Sequence, residues 1–256
     1  MSNSLAIIPL DNLAIAFIPV SVVILILVKW SLNGKYALYA LSRMLVQLLL
    51  VGYFLSYLFA SANAWIVAVM LIMMVLFSSW IALGNIKEQR IKLLKRAIFS
   101  IAVGGCFTLF IITQGVLRLQ PWHQVQTMIP LAGMIFANCM NSVSLSAERF
   151  YAELARDVEY SEARKIAFQA SIIPNVNALF AVGLVSLPGM MTGQILSGTS
   201  PFIAARYQIV VMCMIFASAG ISSACFLILN NPRIKNSRAK PRPTHKTENS
   251  LTEDDK

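Results

Sequence analysis

The side chains able to do chemistry in this chain are amides, thioethers and one guanidinium, all set inside apolar sequence. Arg43 is followed at i+4 by Gln47, which puts both on one helix face. Asn138 and Asn141 stand three apart, Asn175 and Asn177 follow Pro174, and Met190, Met191 and Gln194 lie in a stretch rich in Pro and Gly. Amides so placed can line a polar path or join helices by hydrogen bonds. Met190 and Met191 can offer sulfur to a soft metal or simply pack. A charge deep in a bilayer costs about 2.5–3.5 kcal/mol on insertion scales. Arg43 therefore has two readings: it snorkels to the inner headgroups, or it faces the bundle on a substrate path.

Other chemistry is excluded by what is missing. A phosphate-cradling loop needs GxxxxGK[ST], and the one Gly-Lys pair, Gly34-Lys35, is followed by Tyr36 and lacks the upstream glycine. No GxSxG, HExxH or paired carboxylates fall in an apolar segment, so no catalytic residue is assigned and the chain is not expected to be an enzyme. The four cysteines lie in separate apolar segments, and the two histidines, His123 and His245, lie in a short loop and a polar tail. They form no ordinary zinc spacing, and metal ligands are left unassigned. Asp11 is the one acid in or near a span, which weakens a proton-coupled carrier.

The elements that must hold these residues are membrane helices. Of 256 residues 57% are hydrophobic and 12% charged, about half the charged share of a soluble domain. All but six of the charges fall in 84–96, 146–167 and 231–256. Continuous apolar runs such as 20–28, 67–77 and 209–215 favour helices over the alternating strands of a barrel. Seven spans are expected, near 7–28, 38–59, 64–83, 97–117, 126–145, 168–187 and 206–230. With the N-terminus outside and the C-terminus inside, 18 of the 21 basic residues fall in cytoplasmic connections, and only Arg118 and Arg206 in outer ones. That accounts for the net charge of +10 through anionic lipid, without nucleic acid. The expected fold is an all-α polytopic membrane helical bundle, with a transmembrane permease domain over 1–230 and a cytoplasmic tail over 231–256. The tail is too polar to bury a core and is expected to be disordered. Between 184 and 205, Pro188, Gly189, Gly193, Gly198 and Pro201 interrupt the apolar sequence. The stretch reads either as a broken helix beside a path or as an outer loop with short helical pieces.

VGLVSLPGMMTGQILSG (182–198) and RYQIVVM (206–212) closely resemble the FetB-type permeases, membrane subunits of an iron-export ABC transporter. RMLVQLLLVGYFL (43–55) and IPLAGMIFANCM (129–140) match the same family in order and spacing. The resemblance implies a permease of the bacterial inner membrane, exporting a metal ion such as iron. It implies a homodimer paired with a separate ABC ATP-binding subunit, so that ATP acts through the partner and this chain binds no cofactor. Plant relatives are linked to aluminium tolerance, with a nucleotide sugar proposed as cargo. ABC permeases engage their ATPase through a cytoplasmic segment with a Glu, small apolar residues and a Gly turn. The corresponding segment here is about four helical turns shorter than in the family, and neither placement of the motif Glu, on Glu148 or on Glu153, restores the Gly. The coupling surface is expected within 148–165, with Glu148, Glu153, Asp157, Glu159 and Glu162. A scaffold or regulatory subunit that lost coupling is the alternative.

Overall fold

The computed structural model describes residues 9–60, 63–86 and 89–231. The expected tail beyond Asn231 lies outside the described residues. Among the described residues the chain is helical without strands, as expected: α1 (Leu10–Ile15), α2 (Phe17–Lys29), α3 (Gly34–Ala60), α4 (Ala64–Ala82), α5 (Arg90–Phe110), α6 (Val125–Leu154), α7 (Tyr160–Ala181), α8 (Gly189–Leu196) and α9 (Pro201–Leu229). A π-helical stretch, Ile111–Val116, continues α5. It is a polytopic helical membrane bundle.

Local sequence accounts for the breaks. α1 stops at Ile15 because the Pro19 ring meets the carbonyl four residues back and supplies no N–H to it. α4 begins where Asn63 Oδ1 accepts the Trp65 N–H at 3.0 Å, an N-cap. α2 and α3 form a tight hairpin: a Cβ at Gly34 would stand 2.7 Å from Val28 Cγ2.

Among the described residues, six helical stretches are long and apolar enough to cross a membrane: Asp11–Lys29, Gly34–Tyr53, Ala64–Ala82, Arg90–Val116, Val125–Leu154 and Pro201–Leu229. The span expected at 168–187 differs. α7 has 22 residues, but Glu162, Arg164 and Lys165 in its first turns lower its hydropathy, and it ends at Ala181 rather than near 187. There the chain reverses through Gly183, at φ +83°. α6 is also longer than expected. Its 30 residues extend about 45 Å, against a hydrocarbon core of about 30 Å, so it has turns to spare beyond the bilayer.

The chain divides into two compact units. The first comprises Met1–Met74, Leu109–Met134 and Ala178–Met214. Its core includes Val67, Ala132, Ala204 and Met214, whereas α2 contributes no buried residue and is apolar all round. The second comprises Val75–Thr108, Ile135–Asn177 and Ile215–Lys256. Its core is built on Leu83, Ile101, Ile135, Phe136, Phe150 and Phe226. Buried serines run through it, and most satisfy their hydroxyls on their own helix, as Ser223 does on the Ala219 carbonyl at 2.8 Å. Small residues let the helices approach closely. A Cβ on Gly104 of α5 would come within 2.7 Å of the Ser222 backbone nitrogen of α9, and one on Gly105 would enter the Phe136 ring.

Candidate functional site

The interrupted stretch after α7 resolves into two turns and one short helix. Val182–Ser186 forms a single bridge, Pro188 stands at the N-cap of the eight-residue α8, and Gly198 turns at φ +94° before Pro201 starts α9. Pro188 and Pro201 fit because helix starts need no N–H there. This is the arrangement of short helical pieces, one of the two readings of the sequence.

α8 divides its side chains between two cavities of the first unit. The larger has a volume of about 440 Å³ and takes Met190 and Gln194 from α8. Gln124, Gln126, Thr127 and Met134 line it from the start of α6 and the preceding turn, and Tyr207 from α9. Pro130 also lines it, and cannot donate an N–H to the Gln126 carbonyl. Leu117, directly after the π-helical stretch, completes one side. None of the lining residues is charged, and Gln194 Oε1 is buried without a hydrogen-bond partner. Such a lining offers amide, hydroxyl and thioether lone pairs with no carboxylate to neutralise a hard cation. The second cavity, about 360 Å³, takes Met191 with Met212, Cys213 and Gln208. Gln208 is only 5% exposed, and its Oε1 has no partner. Among the described residues no cluster of three His, Cys, Asp or Glu could hold a metal.

The other residues singled out by sequence lie elsewhere. Arg43 and Gln47 are exposed on α3. Asn138 is half-buried on α6, and Asn141 is exposed one turn on. Asn175 Nδ2 donates to Ser142 Oγ at 3.4 Å, joining α7 to α6, while Asn177 is exposed. Gln124, Gln126, Thr127, Tyr207 and Gln208 were not singled out. Gln208 carried a signal, as an amide within an apolar run; the other four are cavity residues only through the way α6 and α9 pack.

The segment 148–165 is an ordered corner of the second unit. α6 ends in a Schellman turn: the Asp157 N–H donates to the Leu154 carbonyl and the Val158 N–H to the Glu153 carbonyl, both at 3.2 Å. Asp157 takes the left-handed position at φ +60°. Asp is a residue type that tolerates this conformation. Val158 packs with Tyr151, Leu154, Tyr160 and Phe168 on a core of Phe150, Ala163, Ala167 and Leu227. The Phe150 and Tyr160 rings meet edge to face at 5.7 Å. Glu153 is buried and ion-paired with Arg149 at 2.7 Å and Arg156 at 3.7 Å. Asn85 Nδ2 donates to Glu148 Oε2 at 2.9 Å. Glu162 lies in the first turn of α7, where the helix dipole favours an acid, and pairs with Lys165 at 3.5 Å. Asp157 and Glu159 are exposed.

The corner is fastened to its neighbours. The Tyr160 hydroxyl donates to the Leu227 carbonyl at 3.0 Å, and the Tyr151 hydroxyl to Asn230 Oδ1 at 3.2 Å. Arg96 Nη1 donates to the same Asn230 Oδ1 at 2.6 Å, and Asn230 Nδ2 to the Phe226 carbonyl at 2.7 Å. One buried asparagine so ties α5, α6 and the end of α9.

The helices long and apolar enough to cross a membrane make this a multi-pass membrane protein. The chain belongs to Uncharacterised protein family UPF0014, whose model matches residues 10–164 and 156–234. The two matched stretches overlap within 156–164, so the break in the family match falls at the corner. The chain is 34% identical over 215 residues to a UPF0014 membrane protein of Synechocystis sp., covering 77% of this chain and 83% of that one. It is 33% identical over 240 residues to the "Probable iron export permease protein FetB" of Escherichia coli (strain K12), covering 85% and 89%. It is 30% identical over 213 residues to the "Protein ALUMINUM SENSITIVE 3" of Arabidopsis thaliana, covering 75% and 74%. No solved structure matches the chain.

Proposed function

We propose that this chain is the permease subunit of an ABC transporter in a bacterial inner membrane, exporting a metal ion such as iron. It works as a homodimer energised by a separate ATP-binding subunit, with ATP bound by that partner alone. The observation that carries this reading is the corner at 148–165, an ordered element whose Tyr151 and Tyr160 hydroxyls bond to the end of α9. A partner pressing on the exposed Ala155–Glu159 turn moves α6 and α7 as levers. α6 carries Gln126, Thr127 and Met134 near its start and the corner at its end, so one helix bears both ends of the coupling. Met190, Gln194 and Tyr207 then bind cargo from alternate sides, with Arg43, Gln47, Met191 and the four asparagines as further path positions. The relative named as an iron export permease supports the choice of cargo. The uncharged cavity suits weak, transient binding, which export requires. In mild detergent the chain is expected to co-purify with an ATP-binding subunit, and its deletion to raise cellular iron. Absence of any such subunit together with unchanged metal efflux overturns the reading.

A second reading is a scaffold or regulatory subunit that no longer couples to an ATPase, or a transporter of another cargo such as a nucleotide sugar. The break of the family match at 156–164 favours loss of coupling. Restoration of wild-type metal tolerance to a deletion strain by this chain excludes it.

A further inference from the structure

A groove of about 190 Å³ runs along the flanks of α7 and α9 in the second unit. Arg164 and Lys165 form its rim, and Phe168, Ala224, Leu227 and Ile228 its floor. The spacing makes this a continuous surface. Arg164 and Phe168 are i and i+4 on α7, while Ala224, Leu227 and Ile228 are i, i+3 and i+4 on α9. The cations therefore sit at one end of an apolar strip two helices wide. Both are exposed, and their existing partners are weak. Lys165 Nζ is 3.5 Å from the exposed Glu162, and the Arg164 guanidinium lies 5.7 Å from the Tyr160 ring centroid.

We propose that this groove binds one anionic phospholipid, its phosphate on Arg164 and Lys165 and an acyl chain along Phe168, Ala224, Leu227 and Ile228. Two observations choose lipid over a protein partner. Positive charge sits at one end of the groove only, and the floor is apolar throughout, which is the polarity of a single lipid molecule. The groove also lies on the flanks of α7 and α9, apart from the exposed turn at 155–159 on which the proposed ATP-binding partner would press. A lipid so held bridges α7 to α9 beside the Tyr160–Leu227 hydrogen bond, and so stiffens the corner. The inference rests on the chain crossing a membrane, not on what it transports.

The test is native mass spectrometry of the full chain in mild detergent, titrated separately with phosphatidylglycerol and with phosphatidylcholine of equal chain length. One phosphatidylglycerol is expected to remain bound, with roughly ten-fold or greater preference over phosphatidylcholine. The Arg164→Gln/Lys165→Gln variant loses that preference, whereas Lys92→Gln/Lys95→Gln on α5 keeps it. Ala224→Trp fills the floor and expels the lipid with both cations in place; Ala224→Leu serves if the larger residue prevents folding. Equal retention of both lipids, or retention by either groove variant, overturns the proposal. So does displacement of the lipid by an added ATP-binding subunit that cross-links through position 164, which assigns the groove to protein docking. Absence of an ATP-binding partner leaves the lipid result unaffected, so this proposal and the transport reading fail separately.

Discussion

Asp157 shows how one residue can restore a turn whose usual glycine is missing. At φ +60° it closes the Schellman turn after α6, with both expected backbone hydrogen bonds in place. Left-handed backbone costs an ordinary L-residue about 1–2 kcal/mol, and Asp or Asn less because their short side chains bond locally. Asp157→Gly is therefore expected to leave stability unchanged or raise it slightly, while Asp157→Val lowers it by about 1–2 kcal/mol. Thermal unfolding in detergent checks both, and equal effects from the two would contradict the turn assignment. From sequence, a coupling surface is expected within 148–165, with no Gly at either placement of its motif. The conformation at Asp157 is set by the packing of Val158 and Tyr160 on Phe150, which a motif match does not register.

At the scale of elements, helix existence was legible and helix ends were not. Apolar runs mark where a chain can cross a membrane, and expected spans such as 64–83 and 97–117 correspond to α4 and to α5 with its π-helical extension. The ends differ because α5, α6 and α7 carry charged turns beyond the apolar core. Arg90–Arg96, Glu148–Glu153 and Glu162–Lys165 are helical although rich in charge, since helix propensity does not stop where the apolar run ends. The division of α8 between two cavities was also hidden, since Met190 and Met191 are neighbours in sequence and point apart only once the helix forms. The packing of α5 on α9 depends on Gly104, where any Cβ meets the Ser222 backbone. Gly104→Val is expected to cost about 1–3 kcal/mol as an overpacking change. Gly133, with nothing near its missing Cβ, gives the control: Gly133→Ala is expected to leave the melting temperature unchanged or raise it. Equal destabilisation by both variants would show that the α5–α9 approach is not close.

At the scale of the whole molecule, charge placement sets the topology. Eighteen of 21 basic residues fall in the connections expected on the cytoplasmic side, so the C-terminus is expected there too. A fluorescent protein fused after Lys256 is expected to mature, and alkaline phosphatase fused there to be inactive; the reverse pattern would invert the topology. The family assignment rests on most of the chain's length, while the proposed cargo rests on the name of one relative. The proposed mechanism makes one claim, that pressure on the corner opens a path at the other end of α6. The most direct measurement is ATP-dependent iron uptake into inside-out membrane vesicles that hold this chain with its ATP-binding subunit. The account predicts uptake that requires ATP and falls at least ten-fold with Ala155→Trp on the exposed turn, with the protein level unchanged. Uptake indifferent to ATP, or unaltered by Ala155→Trp, would contradict it.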